Sequence, residues 1–98
     1  MSLEVVFSNR AEANLDKMIA YLEAHWPTKT KIDFLAKLSE QLYLIGEMPF
    51  LYPASELKKG LRRCLINKNV ALYYSVEETR IVIITIQDTR INPENLQL

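Results

Sequence analysis

The stretch from Arg80 to Asp88, RIVIITIQD, constrains this chain more than any other. Ile81 and Ile83 fall on one face of an extended segment, and Val82, Ile84 and Ile86 fall on the other. A strand that is apolar on both faces cannot stand at a sheet edge with one side in water. Whatever the fold, this segment belongs in the sheet centre rather than at an edge.

The neighbours of that strand follow from turn chemistry. Leu61 to Ile66 reads as one strand and NVALYYSV, Asn69 to Val76, as the next, with NKN and EETR as the polar turns between strands. Turns this short force antiparallel pairing. At the other end of the chain, EVVF, Glu4 to Phe7, is a short β-branched run and a fourth strand.

Two helices lie between. Ser8 is placed to cap the first, along which Ala11, Leu15, Met18, Ile19 and Leu22 recur at spacings of three and four. Glu12 and Asp16 lie near its start, where the helix dipole favours acids, and Pro27 ends it. Thr28 or Thr30 is the expected cap of the second helix, whose seam is Leu35, Leu38, Leu42 and Ile45. Gly46 followed by Pro49 is the expected stop. The short connection makes the pair an antiparallel helical hairpin. MPFLYPASELKKG, with two prolines and no period, is expected to be a surface loop. RINPENLQL reads as a tail or a short last turn.

The order is therefore β-α-α-β-β-β, an α+β fold: an antiparallel sheet with a helical hairpin packed on one face. At 98 residues, a single domain over 1–98 is expected. No secretory leader or long apolar run is read, so the expected location is cytoplasmic, with no membrane partner.

Chemistry is sparse. Twelve basic and twelve acidic residues cancel, so any grip on nucleic acid must come from a local patch. The single cysteine, Cys64, excludes an intrachain disulfide, and no Cys/His spacing suits a metal. His25, the only histidine, falls at a helix end without a positioned partner. Cys64 reads as a small core residue. No phosphate loop, nucleophile motif or paired carboxylate stands out. What remains is basic: Lys58, Lys59, Arg62, Arg63 and Lys68 fall close together, and Arg90 follows the last strand. Alternation puts Arg62 with Cys64 on one face and Arg63 on the other, so the cluster is either a split binding patch or a set of solvated edge charges. The face of the sheet away from the helices, with Tyr73 and isoleucine, is a candidate partner surface unless the tail or the MPFLYP loop covers it.

Taken in order, FSNRAEANLDKMIAYLEAHWP, IGEMPFLYP and GLRRCLINKNVALYYSVEETRIVIITIQDTRINP resemble the RelE/ParE superfamily of type II toxin–antitoxin toxins over nearly the whole chain. The motifs carrying the resemblance are S-x-R-A at Ser8 to Ala11, P-x-L-Y-P at Pro49 to Pro53, G-L-R-R at Gly60 to Arg63, Y-Y-S-V at Tyr73 to Val76 and D-T-R at Asp88 to Arg90.

The resemblance implies a small toxin neutralised by a cognate antitoxin that wraps across it. It implies no cofactor and no metal. RelE-like members cut mRNA on the ribosome with a basic and aromatic cluster, whereas ParE-like members, linked to plasmid stabilisation, lack that cluster and are associated with inhibition of DNA gyrase. Against the RelE-like pattern, Arg62 fills one position on the second strand, but Cys64 stands at the other. Ala71 stands where a third-strand arginine is expected, Arg90 matches the arginine after the fourth strand, and Leu96 stands near an expected tail tyrosine. The pattern is closer to the ParE-like branch. On that basis Arg62, Arg63, Tyr73 and Arg90 are the expected antitoxin- or target-binding residues. Arg62 and Arg90 are the only catalytic candidates if the chain is instead a ribosome-dependent mRNA endonuclease. A homodimer, or a heterotetramer with antitoxin, is also expected from exposed apolar surface.

Overall fold

The computed structural model describes residues 2–56 and 58–90. The elements follow in the order β1 (Glu4–Phe7), α1 (Asn9–His25), α2 (Thr28–Glu47), β2 (Arg62–Asn67), β3 (Val70–Val76) and β4 (Arg80–Asp88). The strands form one sheet in the order β1-β4-β3-β2, so the apolar strand is internal, as its composition requires. β2, β3 and β4 pair antiparallel through their short turns. β1 joins β4 in parallel, the one pairing that no turn length specifies, with Val5 opposite Ile81 and Phe7 opposite Ile83.

Both helices pack on one face of this sheet. The main core gathers Ala11 of α1, Phe34, Leu38 and Ile45 of α2, and Cys64, Ile66, Leu72, Tyr74, Ile81, Ile83 and Ile86 of the sheet. Simple alternation puts Ile86 on the face of Ile84, away from the helices. The structure places it with Ile81 and Ile83 instead. The cause is a β-bulge: Tyr74 faces Ile83 and Tyr73 faces Thr85, which leaves Ile84 as an extra residue and resets the phase of β4.

The bulge lies where β1 has run out. Beyond Ile83 that edge of β4 still carries carbonyls, and α1 supplies their donors. Ser8 Oγ donates to Ile84 O at 2.7 Å, and Asn14 Nδ2 donates to Ile86 O at 3.3 Å and to Thr85 Oγ1 at 2.9 Å. Ser8 serves twice, since its Oγ also accepts from Ala11 N as the α1 cap.

Two expected helix ends are corrected. Neither Thr28 nor Thr30 caps α2. Extended Pro27 occupies the cap position without a side-chain bond, and Thr28 is already the first helical residue. Proline has no N–H to lose there and favours the extended entry. Gly46 does not stop α2 either. It lies inside the helix, which runs on to Glu47, and its role is close approach. A Cβ at this position would stand 3.3 Å from Leu3 O and 3.5 Å from Val5 Cγ2, and Leu3 N donates to Gly46 O at 3.0 Å. Glycine thus lets the last turn of α2 seat on β1. Among the described residues no helix is long and apolar enough to cross a membrane.

Candidate functional site

The β2–β3 hairpin sorts its side chains cleanly. Cys64, Ile66, Leu72 and Tyr74 point into the main core. Leu61, Ala71 and Tyr73 form a smaller buried cluster on the opposite face, joined by half-buried Ile84. Val6 and Val82, directly paired and half-buried, extend that apolar band across β1 and β4.

Arg62 and Arg63 leave the strand on opposite sides, as alternation requires. Arg63 stays on the face away from the helices. Its Nε donates to the Tyr73 hydroxyl at 3.2 Å. Arg62 turns to the loop ahead of β2. Its Nη1 donates to Tyr52 O at 2.7 Å, and its guanidinium carbon lies 4.8 Å from the centre of the Phe50 ring.

That loop, residues 48–56, is fastened along the outer edge of β2. Ser55 N donates to Leu61 O at 2.7 Å, Arg63 N donates to Pro53 O at 3.1 Å, and Ala54 bridges Arg62. Beneath it is a small polar cluster. The Tyr74 hydroxyl donates to Pro49 O at 2.7 Å, the Tyr52 hydroxyl donates to Gln41 Oε1, and the Cys64 thiol reaches the same oxygen at 3.5 Å. Burial pushes both phenols up to about 12 and raises the Cys64 thiol as well. A buried thiol held in its neutral form is a poor nucleophile, so Cys64 is a core residue here.

Arg90 stands apart. Its Nε donates to Asp88 Oδ1 at 2.9 Å, and this pairing holds the Asp88 carboxyl down at about 2. Asp88 lies opposite Val70, whereas Arg62 lies opposite Tyr74, which faces Ile83. From Ile83 to Asp88 is five residues, roughly 16 Å along the strand at ~3.3 Å per residue, and two strand spacings separate β2 from β4. Arg62 and Arg90 therefore belong to different ends of the sheet, and each already has an oxygen partner.

The expected site residues thus do not form one cluster. Arg63 and Tyr73 come together; Arg62 and Arg90 do not join them. Tyr73, expected as a contact residue, is 3% exposed, and its hydroxyl accepts from Arg63 Nε. Ala71, where the resemblance expects an arginine, is 1% exposed. His25 is exposed in the last turn of α1 with its ring 4.6 Å from that of Tyr21. Leu96 and the tail lie outside the described residues. Among the described residues no group of histidine, cysteine or carboxylate side chains could hold a metal ion. Sequence reasoning missed Gln41, the buried anchor of the loop. Its signal was a polar residue three positions after Leu38, inside the apolar stripe of α2.

Solved structures from toxin–antitoxin systems share this architecture. A chain of the chromosomal ParDE toxin–antitoxin system from P. aeruginosa superposes with a TM-score of 0.73 at 17% identity, covering 89% of this chain and 96% of that one. The toxin–antitoxin complex RelBE2 from Mycobacterium tuberculosis gives 0.63 at 15% identity, with 93% and 95% covered. The YoeB dimer from Staphylococcus aureus gives 0.60 at 21% identity, with 89% and 97% covered. At these identities the likeness shows the fold alone. A family model described as the ParE toxin of the type II toxin–antitoxin system parDE matches residues 5–93, and the chain belongs to that family. No curated protein sequence matches it.

Proposed function

We propose that this type II toxin acts by binding a protein, with DNA gyrase the first candidate, and is neutralised by a cognate antitoxin laid across the sheet face of Val6, Val82 and Ile84. One observation carries this reading: Arg62 and Arg90 are committed to opposite ends of the sheet, with Ala71 between them. Metal-free scission by a 2′-hydroxyl needs a base, an acid and cations gathered around one phosphate. Two arginines whose strand positions lie about 16 Å apart along the sheet, each already bonded to another oxygen, do not provide that. An antitoxin partner accords with the RelBE2 toxin–antitoxin complex and the YoeB–YefM complex, which share the fold.

The test is direct. Purified protein is added to gyrase and plasmid, and separately to ribosomes translating a defined message. Loss of supercoiling with intact message is the expected result. Cleaved message with unaffected gyrase would overturn it.

A RelE-like endonuclease with an incomplete active site is the second reading. The Arg63–Tyr73 pair favours it, being a basic and aromatic pair on the face away from the helices. In that case Arg63→Ala and Tyr73→Phe abolish cutting while the fold survives.

A further inference from the structure

The loop before β2 combines two properties that rarely coincide. It is rigidly held, and it displays apolar side chains to water. Phe50 is 66% exposed, Leu51 51% and Met48 48%, three residues within four positions. On either side of Phe50 and Leu51 the backbone is tied down. Pro49 O accepts from the buried Tyr74 hydroxyl, Tyr52 O from Arg62, and Pro53 O from Arg63 N. Leu51 N itself donates to Met48 O at 3.1 Å. The fastening comes from α2, β2 and β3 together, through Gln41, Arg62 and Tyr74.

Scattered exposed apolar residues are ordinary, but a contiguous set on a preorganised loop is not. Fixing a contact segment before association removes the ordering cost that otherwise weakens binding. Aromatic side chains, phenylalanine among them, and arginine are enriched at protein interfaces. Arg62 lies under the Phe50 ring, so a cation accompanies the apolar knob wherever it inserts.

We propose that Phe50 and Leu51 are the anchor by which this toxin docks on its protein target, entering an apolar cleft with a carboxylate at its rim. The loop is separate from the Val6–Val82–Ile84 band assigned to the antitoxin. The proposal rests on the reading of the chain as a toxin that acts by protein binding, and the experiment separates the two.

Wild-type protein and the Phe50→Ser, Leu51→Ser double variant are expressed from an inducible promoter with and without the cognate antitoxin. Complex formation with that antitoxin is measured on purified proteins, and thermal unfolding checks the fold. The expected result is that growth inhibition by the variant falls by about tenfold or more, while antitoxin affinity and melting temperature stay within about twofold and a few degrees of wild type. A conservative Phe50→Leu variant retains most of the inhibition. A double variant that inhibits growth as strongly as wild type overturns the anchor and leaves the toxin reading standing. Loss of inhibition and antitoxin binding together, in a folded variant, also overturns it, by assigning the loop to the antitoxin. A harmless wild type overturns both.

Discussion

Arg63 and Tyr73 are direct cross-strand partners, and the arginine Nε donates to the buried tyrosine hydroxyl at 3.2 Å. The bond orients the one guanidinium that leaves β2 on the face away from the helices. Tyr73→Phe keeps the ring and removes the acceptor. A loss of about 0.5–1.5 kcal/mol is expected, and for a chain of this length that lowers the melting temperature by several degrees. Arg63→Glu is expected to weaken antitoxin association more in its on-rate than in its off-rate, with the effect shrinking as salt is added.

Alkaline pH should release the loop before β2. The Tyr52 and Tyr74 phenols are pushed from 10.0 up to about 12, chiefly by burial. A folded value above the unfolded one means that the stabilising contribution is whole below about pH 10 and is lost as pH climbs towards about 12. Tyrosinate absorbance should therefore show two late-titrating phenols, rising together with loss of tertiary signal. Substituting Gln41→Leu strands the Tyr52 hydroxyl and is expected to cost about 1–3 kcal/mol in urea unfolding.

At the acid end the sensitive group is Asp88. Arg90 holds its carboxyl down at about 2, from an ordinary 3.8, by direct hydrogen bonding. A depressed folded value contributes stability above about pH 4 that fades as pH falls towards 2. Arg90→Ala should return the carboxyl towards its ordinary value, as read by NMR titration. The change in stability should be small, because the pair is exposed to solvent.

Much of the architecture was legible because hydrophobic period and turn length are local signals. The apolar RIVIITIQD could only be an inner strand, and Ser8 could only help a helix that began beside it. What escaped were features decided across the fold. The bulge at Ile84 is invisible to a strict period of two, so Ile86 was expected on the wrong face. Gly46 followed by Pro49 mimics a helix stop, yet the glycine answers to Leu3 and Val5, more than forty residues earlier. The charges of the candidate site could be assigned to opposite faces of β2 by alternation, but not to opposite ends of the sheet, since that depends on the β3–β4 register.

Gly46 offers a test of that account. Alanine would gain about 1 kcal/mol of helix propensity, against a contact of 3.3 Å with a backbone oxygen. The two should nearly cancel, leaving Gly46→Ala within about 1 kcal/mol of wild type. Gly46→Val adds methyls towards Val5 and β1 and should destabilise by about 1–3 kcal/mol. Chemical denaturation of the pair separates close approach from a simple preference for glycine.

The parallel partner of β1 is β4, and between Glu4 and Arg80 lies nearly the whole described chain. During biosynthesis the first strand emerges early and must wait for its neighbour, which is made after every other described element. A nascent chain can form its helical hairpin, but its sheet closes only late. Any surface that spans β1 and β4, the Val6–Val82–Ile84 band included, is therefore absent until β4 has been made.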